Sequence, residues 1–431
     1  MKGTIVAAVA AAVLALALSA QGAQPALAPI AGGAYDELLP RLVRGRTFVP
    51  SFKIRWEYDD NIFTEETDEV AQWKLAVEPK FDIHILRDLS YYGLSYQYSL
   101  SYFPDRDPTT DQSHDVFLQL HQKFSERVEL VVRDRYRHML EPELVEATVE
   151  EGTADERIVT RRLRNERDYN VLSPTLNIGV SPQLDASLGY SYLFVDYEDP
   201  EVSINGDYDL QKATISANYI LSSTTYLSAS YNYQDIDYDY DDNKIDSTAN
   251  VFSIGGTHQF SPTLTGTLRV GLERREFADY TRTNAEGEEE LVTDQTQTAP
   301  NISATLRAPL SETLSTELGY TYRIEETTEA AFISQEMQSI YLGVSQSFTD
   351  RFSAVFNATV DFGDFDPDEA RFTESEEKYE EDTLLFALVF RYKIKPNWHA
   401  EIGWRFTDTD SDFPGQSYTR NRTFIGVNAI F

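Results

Sequence analysis

The chain of 431 residues contains no cysteine. That excludes disulfide staples, thiolate metal sites and thiol nucleophiles together. Positive charge is scarce: 37 Lys and Arg stand against 71 Asp and Glu, a formal net charge of −34. Phosphates are held by clustered Lys and Arg, so this balance argues against a nucleic-acid partner. Long apolar runs are also missing. Beyond residue 18, no stretch approaches the ~20 apolar residues that a membrane-spanning helix needs. Neither a nucleophile elbow nor a phosphate-cradling glycine loop occurs, and the chain is not read as an enzyme. The six histidines, His84, His114, His121, His138, His258 and His399, lack close metal-ligand spacing. His114 and His121 are seven apart on one expected strand, so they point to opposite faces.

Aromatic residues, by contrast, are abundant: 26 Tyr, 24 Phe and 4 Trp bring the aromatic share to 13%. Acidic chains that stay disordered are poor in aromatics, so these side chains must be buried or lipid-solvated. At the start, Lys2 precedes an apolar run over 5–18. Small residues Ser19, Ala20, Gly22 and Ala23 follow. This is the three-part pattern of a secretory signal peptide, expected over residues 1–23. Residues 24–48 are expected to form a periplasmic tail, with a short helix over 36–44.

From residue 49 to 431, period two dominates. Ala186, Leu188, Tyr190, Tyr192 and Phe194 alternate with Asp185, Ser187, Gly189 and Ser191. Trp398, Ala400, Ile402, Trp404 and Phe406 alternate with His399, Glu401, Gly403 and Arg405. Successive strand side chains point to opposite faces, so each segment has one apolar and one polar face. Short turns at Arg87-Asp88, Ser125-Glu126, Ser181-Pro182, Ser222-Ser223, Ser261-Pro262, Ser311-Glu312, Thr349-Asp350 and Pro396-Asn397 alternate with long acidic connections. Outer-membrane barrels have this asymmetry, with short turns on the periplasmic side and long loops outside. The expectation is an all-β, transmembrane antiparallel barrel of about 18 strands, with 16 as the alternative. It should sit in the outer membrane with both termini periplasmic.

Aromatics sharpen the membrane reading. Phe124, Phe260, Phe348 and Trp398 lie beside short turns, while Tyr231, Tyr233, Tyr320, Tyr322 and Trp404 lie toward the loops. Two such belts are what interfacial girdles require. The chain ends on Phe431. A terminal strand closing on Phe is expected to be read by the barrel-assembly machinery.

The stretch Tyr58-Asp59-Asp60-Asn61-Ile62-Phe63 resembles the opening of a family of β-barrel porins found with exopolysaccharide-export genes. Gly255-Gly256-Thr257-His258-Gln259-Phe260-Ser261-Pro262 resembles that family's strand-to-turn signature. The resemblance covers most of residues 50–431 in layout. It implies an outer-membrane barrel with a role in polysaccharide secretion, alongside polysaccharide-export proteins. It carries over no binding residues.

The polar faces hold the candidate site. Arg133, Arg135 and Arg137 share one face with Glu129, and Val128, Leu130, Val132 and Tyr136 share the other. Arg at mid-bilayer costs about 2–4 kcal/mol when it faces lipid, so the three Arg are expected in the lumen. Asp134, on the apolar face, is expected near the rim. Lys212, Arg269, Glu317, Arg323, Arg391 and Arg405 fall on polar faces likewise and are expected to line the lumen. No cofactor is expected, apart from Ca²⁺ or Mg²⁺ at acidic loops. The candidate ligands are Asp235, Asp237, Asp239 and Asp241, with a second cluster at Glu374, Glu376, Glu377, Glu380, Glu381 and Asp382. Such ions would bridge to lipopolysaccharide phosphates. The functional expectation is a channel for hydrophilic solutes, with polysaccharide export as one cargo. A general or nutrient porin and a non-conducting surface barrel are the rivals.

Overall fold

The computed structural model describes residues 46–106, 109–140, 166–198, 207–239, 245–283, 289–325, 332–365 and 379–431. The expected signal peptide, nearly all of the expected tail, Asp241, Glu374, Glu376 and Glu377 lie outside these residues.

Twenty strands follow one another. They are β1 Phe48–Asp59, β2 Gln72–Leu86, β3 Ser90–Tyr102, β4 Thr110–Ser125, β5 Val128–Leu140, β6 Glu166–Ser181, β7 Leu184–Tyr197, β8 Tyr208–Ser222, β9 Thr225–Tyr238 and β10 Ser247–Ser261. After them come β11 Leu264–Phe277, β12 Tyr280–Thr283, β13 Glu289–Val292, β14 Thr296–Pro309, β15 Leu314–Glu325, β16 Gln335–Ser347, β17 Phe352–Phe365, β18 Tyr379–Lys395, β19 Trp398–Ser411 and β20 Tyr418–Ile430. Eighteen form a single sheet; β12 and β13 make a separate small hairpin. Each barrel strand pairs antiparallel with its neighbours in the chain, and β1 pairs with β20 from Ser51↔Ile430 to Asp59↔Arg422. The sheet therefore closes on itself, which leaves no edge strand unpaired. Of the two strand counts expected, eighteen is the one found. The β12–β13 hairpin falls within a stretch expected to be a long loop, where Asp and Glu hid a short ladder.

The short turns are built from their hydroxyl residues. Ser181 Oγ accepts from the backbone N–H groups of Gln183 and Leu184 at 3.2 and 3.1 Å. Ser311 does the same for Thr313 and Leu314, and Thr349 for Arg351 and Phe352. A side-chain oxygen that mimics a backbone acceptor tightens the chain reversal, which is why Ser or Thr recurs there.

The two faces of the sheet differ as the alternation requires. Ile54, Trp56, Leu188, Ile215, Phe252, Ile254, Leu268, Leu272, Ile402 and Ile425 are large, apolar and exposed, and all point outward. A water-soluble protein would bury such a belt; a transmembrane barrel turns it to lipid. On β20 the partners of that belt, Tyr418, Arg420, Arg422 and Phe424, are buried on the inside.

Candidate functional site

Strand register fixes which charges face inward. Arg133 opposes Gln119, Arg135 opposes Phe117, and Arg137 opposes Asp115 across β4–β5. Following the same face around the ring reaches Lys212, Arg269, Glu317, Arg323, Arg391 and Arg405. All of these expected lumen residues thus project from the inner face. The pattern goes further. Setting aside Lys395 at a bulge, every Lys and Arg of the barrel strands except Arg274 lies on that face. A chain short of positive charge has concentrated nearly all its strand-borne cations inside.

On β5 these cations form a ladder. Arg135 donates from Nε and Nη2 to the two carboxylate oxygens of Asp115, at 3.1 and 2.7 Å. Arg137 adds a bond to the same carboxylate at 3.3 Å. Two guanidinium groups thus share one acid, and Arg133 below them is exposed. Farther round, Arg307 pairs with Glu317 at 3.0 Å, and Tyr341 also donates to Glu317. Gly319 makes this possible, because a Cβ there would strike the Tyr341 ring. Arg323 pairs with Glu325 at 2.5 Å, while Arg269 and Arg391 are exposed.

Where the first and last strands meet, the inner face is a dense ion network that sequence reasoning did not find. Arg420 grips Asp59 through Nε at 3.0 and 3.1 Å and through Nη2 at 2.5 Å. Glu57 lies between Lys74 at 3.3 Å and Arg55 at 3.5 Å. Lys53 reaches Glu401 at 3.5 Å. Within this network the Phe424 ring is flanked by two guanidinium groups, Arg55 at 4.7 Å and Arg405 at 5.1 Å from its centroid. Gly403 leaves the space that the ring fills.

At the loop end, the segment that leads into β16 folds over the inner rim. Phe332 packs against Phe365, Tyr379 and Phe413 with centroids 5.3 to 5.7 Å apart. Ile333 joins Ile245, Phe277 and Tyr280, and Ser334 donates to Gln297 at 2.8 Å. Opposite, Tyr169, Val171, Val195 and Tyr197 form a buried apolar patch on the inner wall of β6 and β7. The upper lumen thus has an apolar side and a charged side.

The acidic candidates lie elsewhere. Asp235 and Asp237 sit on the outward face of β9, because Ile236 and Tyr238 are the buried inner residues. Asp239 follows them. Its carboxyl is pushed above the ordinary aspartate range, by desolvation first and then by Asp209, Asp196 and Asp237. Nearby, His138, Glu166 and Glu198 bring one potential ligand atom each within 4.8 Å of one another. Asp134 corrects an expectation. It is the seventh of the thirteen residues of β5, at mid-height on the outer wall rather than near the rim. Phe431 closes the seam as its N–H donates to Pro50 O at 2.8 Å, and its ring meets Trp398 edge-on.

No protein-family model matches the chain, and no curated protein matches it either. Among solved structures it is similar to OccK2 (OpdF) of Pseudomonas aeruginosa in complex with glucuronate. The identity is 11%, over 89% of this chain and 98% of that one, with a TM-score of 0.49. A BenF-like porin from Pseudomonas fluorescens Pf-5 gives 10% identity, 90% and 99% coverage, and a TM-score of 0.48. OccAB3 of Acinetobacter baumannii gives 14%, 89% and 99%, and 0.46.

Proposed function

We propose that this protein is an outer-membrane channel for hydrophilic solutes and that it favours anions. One observation carries the reading: a chain of net charge −34 turns almost every strand-borne Lys and Arg toward the interior. Lipid exclusion alone explains why charges avoid the outer face. Acids share that face, Glu57, Asp115, Glu273, Glu317 and Glu401 among them, yet Lys and Arg outnumber them there although acids are in excess in the chain. Rings of eighteen strands are wide enough to hold an aqueous passage, and charge lining such a passage selects by sign. The short turns face the periplasm in this reading, and the long acidic loops face the exterior.

The polysaccharide-export reading rests on the resemblance at residues 58–63 and 255–262, and the first of these stretches has another use. Asp59 holds Arg420, Asp60 accepts from Asn421 N and Nδ2 at 2.6 and 2.8 Å, and Asn61 donates to Thr419 O at 3.2 Å. Their polar atoms stitch β1 to β20, so they speak of closure and not of cargo. Small anionic solutes are therefore the primary reading. Divalent cations on the outward carboxylates above the belt, bridging to lipopolysaccharide phosphates, belong to the same picture.

Reconstitution in planar bilayers tests this. The expected result is an open conductance whose reversal potential in a KCl gradient reports a preference for Cl⁻, with graded neutral polymers setting the cut-off size. No conductance at any voltage would leave a structural barrel instead.

A further inference from the structure

Most of the outward belt is apolar, and several of its tyrosine hydroxyls toward the loop end bond polar neighbours. Tyr190 donates to Gln211 at 3.0 Å and Tyr231 to Asn250 at 2.6 Å. Tyr320 and Tyr322 reach Gln338 and Glu336, and the Trp404 indole reaches Asn421. The sector formed by β3 to β6 departs from this pattern. Asp134 stands at the midpoint of β5, opposite Leu118 on β4 and Leu172 on β6. Its neighbours Arg133 and Arg135 point inward, so its own side chain points out. Asn170 donates to it at 2.8 Å. Around it on the same outer wall are Tyr96, bonded to His114 at 2.9 Å, and Tyr98, whose ring packs on His114. Tyr136 and His138 both bond Asp168, at 2.7 and 2.9 Å.

An ionisable group at mid-bilayer rarely faces lipid; it faces protein or a water-filled cavity. The inner cavity is on the other side of this wall. We propose that the outer wall of β3 to β6 is an interface and that its occupant is a second copy of this chain. Copies inserted by one route share an orientation, so their symmetry axis runs along the bilayer normal and residues meet at equal depth. Asn170 occupies one carboxylate oxygen of Asp134, and the other is left for a donor at mid-depth. Among the described residues the belt supplies no outward Lys or Arg there: Arg274, the outward exception, is near the loop end of β11 and pairs with Glu276 at 3.0 Å. Tyr98 is a donor near the depth of Asp134 and belongs to the same sector. The patch therefore carries both halves of the contact, as a surface meeting its own copy across a two-fold axis must.

The absence of native cysteine makes the test clean. Leu118→Cys, beside Asp134, should form a disulfide-linked dimer in native membranes under a mild oxidant. Ala229→Cys, outward on β9, should remain single. Light scattering of the detergent-solubilised wild type should give twice the chain mass, and Asp134→Leu should shift it toward one. A single-chain wild type together with an uncrosslinked Leu118→Cys would overturn the proposal. So would a Leu118→Cys adduct with a different protein, or one that forms only when Ala229→Cys is also present. If Asp134→Leu fails to fold, the wild-type mass and the cysteine pair still decide.

Discussion

The inner face carries two clusters of arginine that do opposite work. At the β20–β1 seam, the Arg420 and Asp59 side chains are each 5% exposed. On β5, Arg135 and Asp115 are 33% and 31% exposed. Both pairs have good geometry. What differs is water. A buried pair has already lost its hydration, and each partner compensates the other; removing one strands the other. An exposed pair keeps its hydration and contributes little to stability. Exposure separates the arginines that close the barrel from those that, in the proposed function, line the passage.

The largest effect is expected at the seam. Arg420→Ala should destabilise the barrel by about 3–5 kcal/mol, because Asp59 is left buried and unpaired. Unfolding in detergent, followed by the heat-modified shift in gel mobility, measures it. The double variant Asp59→Leu/Arg420→Leu should recover most of that loss. A loss below about 1 kcal/mol for Arg420→Ala would erase the distinction from β5. Phe424→Leu should come next, at about 1–3 kcal/mol, since two guanidinium–ring contacts are lost from a desolvated site. The same melt reads it, and the effect should survive high salt better than an exposed ion pair does.

On β5 the expectation reverses. Replacing Arg133 and Arg135 together with Gln should change stability by no more than about 1 kcal/mol, because the buried Arg137 keeps its bond to Asp115. The reversal potential should nevertheless move several-fold toward indifference between Cl⁻ and K⁺. A stability loss as large as that of Arg420→Ala, with unchanged selectivity, would mean that both clusters are structural.

How these regions were visible in the sequence follows the same division. Alternation is local, so the inward direction of Arg133, Arg135 and Arg137 could be read from a dozen residues. The short turns were legible because Ser181, Ser311 and Thr349 act on N–H groups two or three residues away. The seam was not legible: Asp59 and Arg420 are 361 positions apart, and only closure of the ring brings them together. Asp59 to Asn61 stood out as a motif, but its use as a stitch depends on that distant strand. Phe332 and Ile333 were hidden for the same reason, since their partners come from other loops. Asp134 was misplaced toward the rim by a rule that puts lipid against every outward residue. That rule would fail where, as proposed, a second copy covers the wall.

The smallest expected effect extends the comparison to the outer rim, where like charges crowd. Asp239 has a raised carboxyl pKa in the folded barrel, from desolvation and from Asp209, Asp196 and Asp237. A carboxyl raised on folding binds its proton more tightly in the folded state than in the unfolded one. Its contribution is therefore most favourable at low pH and is lost as pH rises from the ordinary aspartate range through the raised value. Asp239→Asn removes that cost. The variant should melt slightly above the wild type at neutral pH, by less than about 1 kcal/mol, as expected for exposed charges. The two should coincide once the pH falls below the ordinary aspartate pKa of about 3.9. Millimolar Mg²⁺ at neutral pH should narrow the gap, because a divalent cation relieves the same repulsion in the wild type and finds less to relieve in the variant. A gap that is unchanged by both acid and Mg²⁺ would show that Asp239 is too well hydrated for its neighbours to matter. The outer acids would then resemble the exposed arginines of β5 and not the buried ions of the seam.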